Sequence, residues 1–183
     1  MDYWFTADTH FGHGNMSKYR NFTQFIDNGD CDNKSTDEMN EILINNYNKV
    51  VKQGDMVYHL GDFSFDNKIT EGIFDRLNGQ KHLIIGNHDE DNKKTLKLNF
   101  NWIKVTYKLK INNQKYILSH FPFAIWNCKH HGAIHLHGHS HGKYKGEGRI
   151  LDVGVDCHNF RPINIEEINA YMAHKTYREN EYE

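Results

Sequence analysis

Short apolar runs, each cut off by a glycine or a polar residue, set the rhythm of this 183-residue chain. The first, Tyr3 to Ala7, is too short for a helix and stops at Asp8, which predicts a strand buried on both faces. Met39, Ile42, Leu43, Tyr47, Val50 and Val51 then recur at helical spacing as far as Gly54. Ser35 stands three residues before Glu38 in the manner of a capping box, so a helix is predicted over residues 36 to 52. Met56, Val57, Tyr58 and Leu60 predict a second strand ending at Asp62; Ile69, Ile73, Phe74 and Leu77 line a second helix closed by Asn78-Gly79. A third strand, His82 to Ile85, runs into Gly86, and a short polar helix is predicted around residues 91 to 98.

The period then changes. Ile103, Val105, Tyr107, Leu109 and Ile111 alternate with Lys104, Thr106, Lys108 and Lys110, the signature of a half-exposed antiparallel strand. Asn112-Asn113 reads as a hairpin turn into a strand from Tyr116 to Ser119. Strands from Ala133 to His137 and from Ile150 to Val155 follow, then a helix from about Ile165 to Met172 introduced by Asn164. The segment from Phe11 to Lys34 lacks periodicity and follows the first polar cluster, as a loop covering a site would. The predicted fold class is α/β: two mixed β-sheets packed as a sandwich and flanked by helices, the first half mainly parallel. One domain over residues 1 to 183 is expected, with a polar tail at about 175 to 183.

Composition narrows the class. With 38% apolar and 25% charged residues and 11 Phe, 10 Tyr and 3 Trp, the chain has a folded rather than a disordered composition. A net charge of -2 gives no broad basic field for nucleic acid or anionic membrane, so attraction of phosphate must be local. The N-terminus lacks a basic region followed by a long apolar one, and no run approaches the ~20 apolar residues of a membrane span. A cytoplasmic location without membrane association is therefore expected. Cys31, Cys128 and Cys157 are odd in number and form no C-x-x-C pair, which argues against a disulfide framework and a thiolate zinc site. Histidine is the outlier: 14 copies, six of them between His130 and His141. Spaced histidines inside a patterned segment point to metal or proton chemistry rather than to a tag.

Five segments carry that chemistry: Asp8-Thr9-His10, Gly61-Asp62, Gly86-Asn87-His88-Asp89, Ser119-His120 and Gly138-His139-Ser140-His141. Each follows an apolar run, so several strand ends would bring Asp, Asn and His to one spot. Asp8 and His10 offer an oxygen and a nitrogen ligand once the chain turns out of its strand. Asp62 follows a glycine that permits close backbone approach, which suits a carboxylate shared between two ions. Asn87 offers a neutral oxygen, while His88 beside it stays free to reach a substrate. Any one of these segments occurs by chance in a chain of this length; the conjunction is what carries meaning. His59 and His82, inside predicted strands, are read as structural.

Taken together, the segments resemble the calcineurin-like metallophosphoesterase family, whose pattern D-x-H, G-D, G-N-H-D/E, H, G-H-x-H is met across residues 8 to 141. The resemblance implies a β-sandwich flanked by helices and two ions: Asp8, His10, Asp62 and His141 around one, and Asp62, Asn87, His120 and His139 around the other. His88 would be the catalytic proton donor or phosphate contact. Two divalent ions about 3.5 to 4 Å apart can activate a bridging water as hydroxide and clamp phosphoryl oxygens for in-line attack. Two carboxylates and a hydroxide leave the centre with a net charge of about +1, enough to attract a phosphate anion. The mixed nitrogen and oxygen donors accept manganese, iron, zinc, nickel or cobalt, availability deciding among them, and manganese is the expected ion. Asp156 could receive a ligand imidazole proton.

Phe63-Ser64-Phe65 after Asp62 departs from the serine/threonine protein phosphatases, which continue with a second Asp and an Arg. The stretches from Asp8 to Asn15, from Trp126 to Gly142 and from Val153 to Pro162 are similar to a small single-domain branch found in bacteria and their viruses. There His13, Asn15, Trp126, Asn127 and His131 would shape a substrate pocket, although Trp126 is also a natural core residue. The expected activity is hydrolysis of phosphate esters, with phosphodiesters favoured and a nucleotide or nucleic-acid end among the substrates. The alternatives are a phosphomonoesterase and a noncatalytic scaffold that keeps the fold.

Overall fold

The computed structural model describes residues 1 to 20 and 33 to 175. Four strands, β1 (Tyr3–Thr6), β2 (Met56–His59), β3 (Gln80–Ile84) and β4 (Ile103–Lys104), lie parallel in the order β4-β3-β2-β1. The sheet is closed on its other side by β9 (Ile163–Asn164), antiparallel to β1. The second sheet has the order β5-β6-β7-β8, from β5 (Thr106–Ile111), β6 (Gln114–Ser119), β7 (Ile134–His137) and β8 (Ile150–Asp152). Only its β5-β6 hairpin is antiparallel.

Alternation along the central strands explains why these runs are apolar throughout. Trp4, Val57 and Leu83 point to one face and pack on Met39, Leu43, Ile44 and Tyr47 of α2 (Asn33–Val50) and on Ile73 and Phe74 of α3 (Thr70–Arg76). Phe5, Tyr58 and Ile84 point the other way and meet Tyr116, Leu118, Ile134 and Leu136 of the second sheet, where Ile168 and Met172 of α5 (Ile165–Ala173) also pack. With both faces covered, each such side chain contributes about 1.5–3 kcal/mol of burial. A smaller cluster of Ile117, Trp126, Ala133 and Ile150 covers the outer face of the second sheet. No helix among the described residues is long and apolar enough to cross a membrane.

The α/β class and the two mixed sheets flanked by helices are as the pattern predicts, and several local expectations are corrected. The alternating run 103–111 is not one strand: Ile103–Lys104 joins the first sheet, Thr106–Ile111 the second, and Val105 between them is 66% exposed. Alternation marks which residues face inward but says nothing about which sheet they face. Helix α2 begins at Asn33, so Ser35 lies buried in its first turn instead of capping it. The predicted helix at 91–98 is replaced by α4 (Asn87–Asp91) and a 3-10 turn at Thr95–Lys97. Part of the expected loop after Phe11 is helical, α1 (Gly14–Tyr19), while its stretch from 21 to 32 lies outside the described residues, as do Cys31 and the tail from 176. Asn112 and Asn113 both have positive φ, 46° and 68°, as a tight hairpin turn demands. Asn164 caps α5 by accepting from the Glu166 amide.

Candidate metal centre

Asp8, Asp62 and Asn87 follow the C-terminal ends of β1, β2 and β3, and His120 and His139 follow those of β6 and β7. Parallel strands end on the same edge of a sheet, so these residues are delivered to one side of the sandwich. Backbone bonds hold these exits: Asp8 N–H donates to the Gly61 carbonyl (3.0 Å) within the first sheet, Gly138 N–H to the His120 carbonyl (3.0 Å) within the second, and Val155 N–H to the Ala7 carbonyl (3.0 Å) from one sheet to the other. At these exits the chain turns sharply. Asp8, His10, Asp62, His139 and His141 all have left-handed backbone, with φ of 57°, 49°, 58°, 66° and 47°. Such a conformation costs a non-glycine residue about 1–3 kcal/mol, and its concentration at five polar residues is the mark of a functional site.

Two clusters result. Ligand atoms of Asp8, His10 and His141 all lie within 4.8 Å of one another, and so do those of Asp62, His120 and His139. Asp62 joins them: its Oδ2 is 3.6 Å from His10 Nε2 and 3.4 Å from His120 Nε2. Asn87 Oδ1 approaches His120 Nε2 at 3.0 Å and so belongs to the second cluster. Two glycines make the approach possible. A Cβ on Gly61, whose φ is +95°, would lie 2.5 Å from His120 Nδ1, and one on Gly86 would collide with the carboxylate and amide of Asp62.

The electrostatics fit divalent cations. Burial pushes the Asp8 carboxyl up to about 7, even though His120 and His141 pull it down. Burial likewise drives His10 down to about 3, and its Nε2 is buried with no hydrogen-bond partner. A dry carboxylate beside an orphaned imidazole nitrogen is costly unless a cation accepts both lone pairs. For Asp62 burial also acts upward, but the hydrogen bond and charge of His120 and the charge of His10 outweigh it and hold the group at about 2. The donor set of carboxylate oxygens, imidazole nitrogens and one carboxamide oxygen is that of a first-row divalent ion or Zn.

The supporting groups are equally specific. His120 Nδ1 contacts the Leu60 carbonyl at 2.8 Å, which turns Nε2 toward the cluster. His141 Nδ1 lies 2.6 Å from Asp156 Oδ2, the second-layer contact expected from sequence. Burial raises Asp156, yet the His141 hydrogen bond and the Arg20 charge bring it to about 2. Asp156→Asn is expected to weaken metal affinity about 10–100-fold, measured by calorimetric titration; unchanged affinity would remove Asp156 from the site.

Three residues that hold the centre were not found from sequence. Arg20, buried, donates to the Asp8 and Thr9 carbonyls and to Asp156. Asp89 accepts from the amides of Asp62 (2.8 Å), Phe63 (2.9 Å) and Gly86 (2.8 Å), locking the ends of β2 and β3 together. Asp152 accepts from Ser140 Oγ (2.6 Å) and the Gly142 amide (2.9 Å) and so fixes the turn that carries His139 and His141. Arg20 sits in a stretch with no periodicity to read, whereas Asp89, inside the Gly86–Asp89 motif, carried a signal.

His88 is half-buried on α4; its amide donates to Asp62 Oδ1 (2.9 Å) and its ring lies 5.4 Å from that of His10. Among the described residues its imidazole nitrogens hold no hydrogen bond, so they are available to a bound molecule. Of the five expected pocket residues, His13 reaches the centre, its ring 5.8 Å from His10. Trp126 is a correction: it is 6% exposed, donates from Nε1 to the Ala133 carbonyl and packs in the small core. Asn15 is exposed on α1; Asn127 contacts Cys128 and the His131 ring lies tilted against that of His130, and no hydrogen bond or ring contact ties these three to the ligand side chains among the described residues. His59 and His82 are structural, bound to Thr9 Oγ1 (3.0 Å) and to the Val57 carbonyl (3.1 Å).

No family model matches the chain. It is 30% identical over 170 residues to the uncharacterized protein MJ1445 of Methanocaldococcus jannaschii, covering 87% of this chain and 85% of the relative, and belongs to the family of that protein. It is also 27% identical over 207 residues to the Gene 66 protein of Mycobacterium phage L5, covering 93% of this chain and 94% of the phage protein. Among solved structures, the protein of unknown function AQ665 from Aquifex aeolicus matches with a TM-score of 0.69 at 25% identity, over 93% of this chain and 98% of that one.

Proposed function

We propose that the chain is a metal-dependent phosphoesterase that uses two divalent ions, manganese foremost, and acts on phosphodiesters. The observation that carries this reading is the pair of Asp/His clusters joined through the Asp62 carboxylate. Asp8, His10, Asp62 and His141 would hold one ion, and Asp62, Asn87, His120 and His139 the other. Bound there, two divalent ions supply the Lewis acidity that activates a water molecule and neutralises phosphoryl oxygens.

The chain's own residues do the rest. Arg20, Asp89, Asp152 and Asp156 fix the ligand geometry before substrate arrives, so no reorganisation is required as charge develops. His88, its imidazole nitrogens without a hydrogen bond among the described residues and its amide anchored on Asp62, is placed to donate a hydrogen bond or a proton to the oxygen that departs. His139 is exposed at the edge of the centre, where a substrate would approach.

The test is hydrolysis of bis-p-nitrophenyl phosphate against p-nitrophenyl phosphate by metal-stripped protein resupplied with manganese. The diester is expected to react faster. A faster monoester would move the protein to the monoesterases, and no manganese-dependent reaction with either would leave the fold as a scaffold.

A further inference from the structure

Large apolar side chains in solvent are informative when they sit beside a polar centre. Phe65 and Phe121 are 49% and 48% exposed, so each leaves about half of its surface to a ligand. They flank different halves of the site. Phe65 lies against His13 (ring centroids 4.2 Å) and His88 (5.5 Å), the two imidazoles that neighbour His10 of the first cluster. Phe121 lies against His139 (4.5 Å) and His120 (5.1 Å), both of the second cluster. The main chain is anchored at both residues: Phe65 N–H donates to the Phe11 carbonyl (2.8 Å), and the Phe121 carbonyl accepts from Ser119 Oγ (2.6 Å).

A phosphodiester held at the centre sends its two ester substituents in opposite directions. Beside each cluster here stands a half-exposed aromatic ring. We propose that the substrate is a phosphodiester flanked by two nucleobases, a dinucleotide step of single-stranded nucleic acid, with Phe65 and Phe121 as the stacking platforms on either side of the scissile bond. The proposal rests on the phosphoesterase reading above and gives it a substrate class. Stacking suits a chain with a net charge of -2, because affinity then comes from the π-faces and the centre and not from a basic groove. A phosphorylated sugar or aliphatic alcohol offers no flat face to either ring, and an aryl monoester offers only one.

The experiment compares thymidylyl-(3′→5′)-thymidine with the same diester carrying tetrahydrofuran residues in place of both bases, by kcat/KM in manganese. The base-bearing diester is expected to be preferred, and Phe65→Leu and Phe121→Leu each to reduce that preference about tenfold. Phe65→Tyr and Phe121→Tyr, which keep the π-face, are expected to retain it. A second readout reports stacking without turnover: 2-aminopurine placed on one side or the other of a slowly cleaved phosphorothioate linkage should be quenched on binding. Each Leu variant should relieve quenching on one side alone. Equal kcat/KM for the two diesters, or quenching that neither variant changes, overturns the proposal. If bis-p-nitrophenyl phosphate is hydrolysed while the base preference is absent, only this inference falls; if it is not hydrolysed, the phosphodiester reading falls with it.

Discussion

Asp62→Asn is expected to lower manganese-dependent diester hydrolysis to below about a thousandth of the wild-type rate while leaving the fold intact. The substitution keeps the side chain's shape and an oxygen that can still accept from the His88 amide. What it removes is the negative charge 3.6 Å from His10 Nε2 and 3.4 Å from His120 Nε2, a carboxylate in reach of both clusters. Loss of either ion alone leaves a phosphoryl oxygen or the attacking water without its charge partner. Circular dichroism and thermal melting check the fold, and metal analysis checks the cause. Wild-type activity in a folded Asn variant would refute the shared role of Asp62.

His88→Ala should separate chemistry from metal binding. Among the described residues the imidazole makes ring contacts with His10 at 5.4 Å and Phe65 at 5.5 Å and no hydrogen bond, so its removal is expected to leave the candidate ligand atoms in place. Turnover is expected to fall about 10²–10⁴-fold with metal content unchanged. The loss should be smaller for a substrate with a good leaving group such as p-nitrophenolate, which needs little help from a proton donor. Equal losses of metal and activity would make His88 a ligand, and a loss independent of the leaving group would make it a phosphate contact.

The candidate ligands were legible because each stands in a compact motif at a strand end, where a local pattern of residue types survives in one dimension. Asp8, His10, Asp62, Asn87, His120, His139 and His141 are all brought together at the ends of parallel strands. The histidine-rich stretch was less transparent, since period-two spacing sends alternate positions to different duties only when the strand ends. His135 and His137, still within β7, are buried and bonded to the Ile117 and Gly138 carbonyls, whereas His139 and His141, past its end, reach the clusters. Arg20 could not be read at all: its partners, the carbonyls of Asp8 and Thr9 and the carboxylate of Asp156, are 12, 11 and 136 residues away and share no period with it. Nor could Val105, whose exposure follows from a strand leaving one sheet for another. Phenylalanine is a core residue by type, and only exposure sets Phe65 and Phe121 apart.

The most direct test is a calorimetric titration of chelator-stripped, folded protein with manganese, with Asp62→Asn in parallel. Two ions per chain are expected for the wild type, and loss of the paired binding in the variant. Folded wild-type protein that takes up no manganese, zinc or iron at saturating concentration would contradict the two-ion centre.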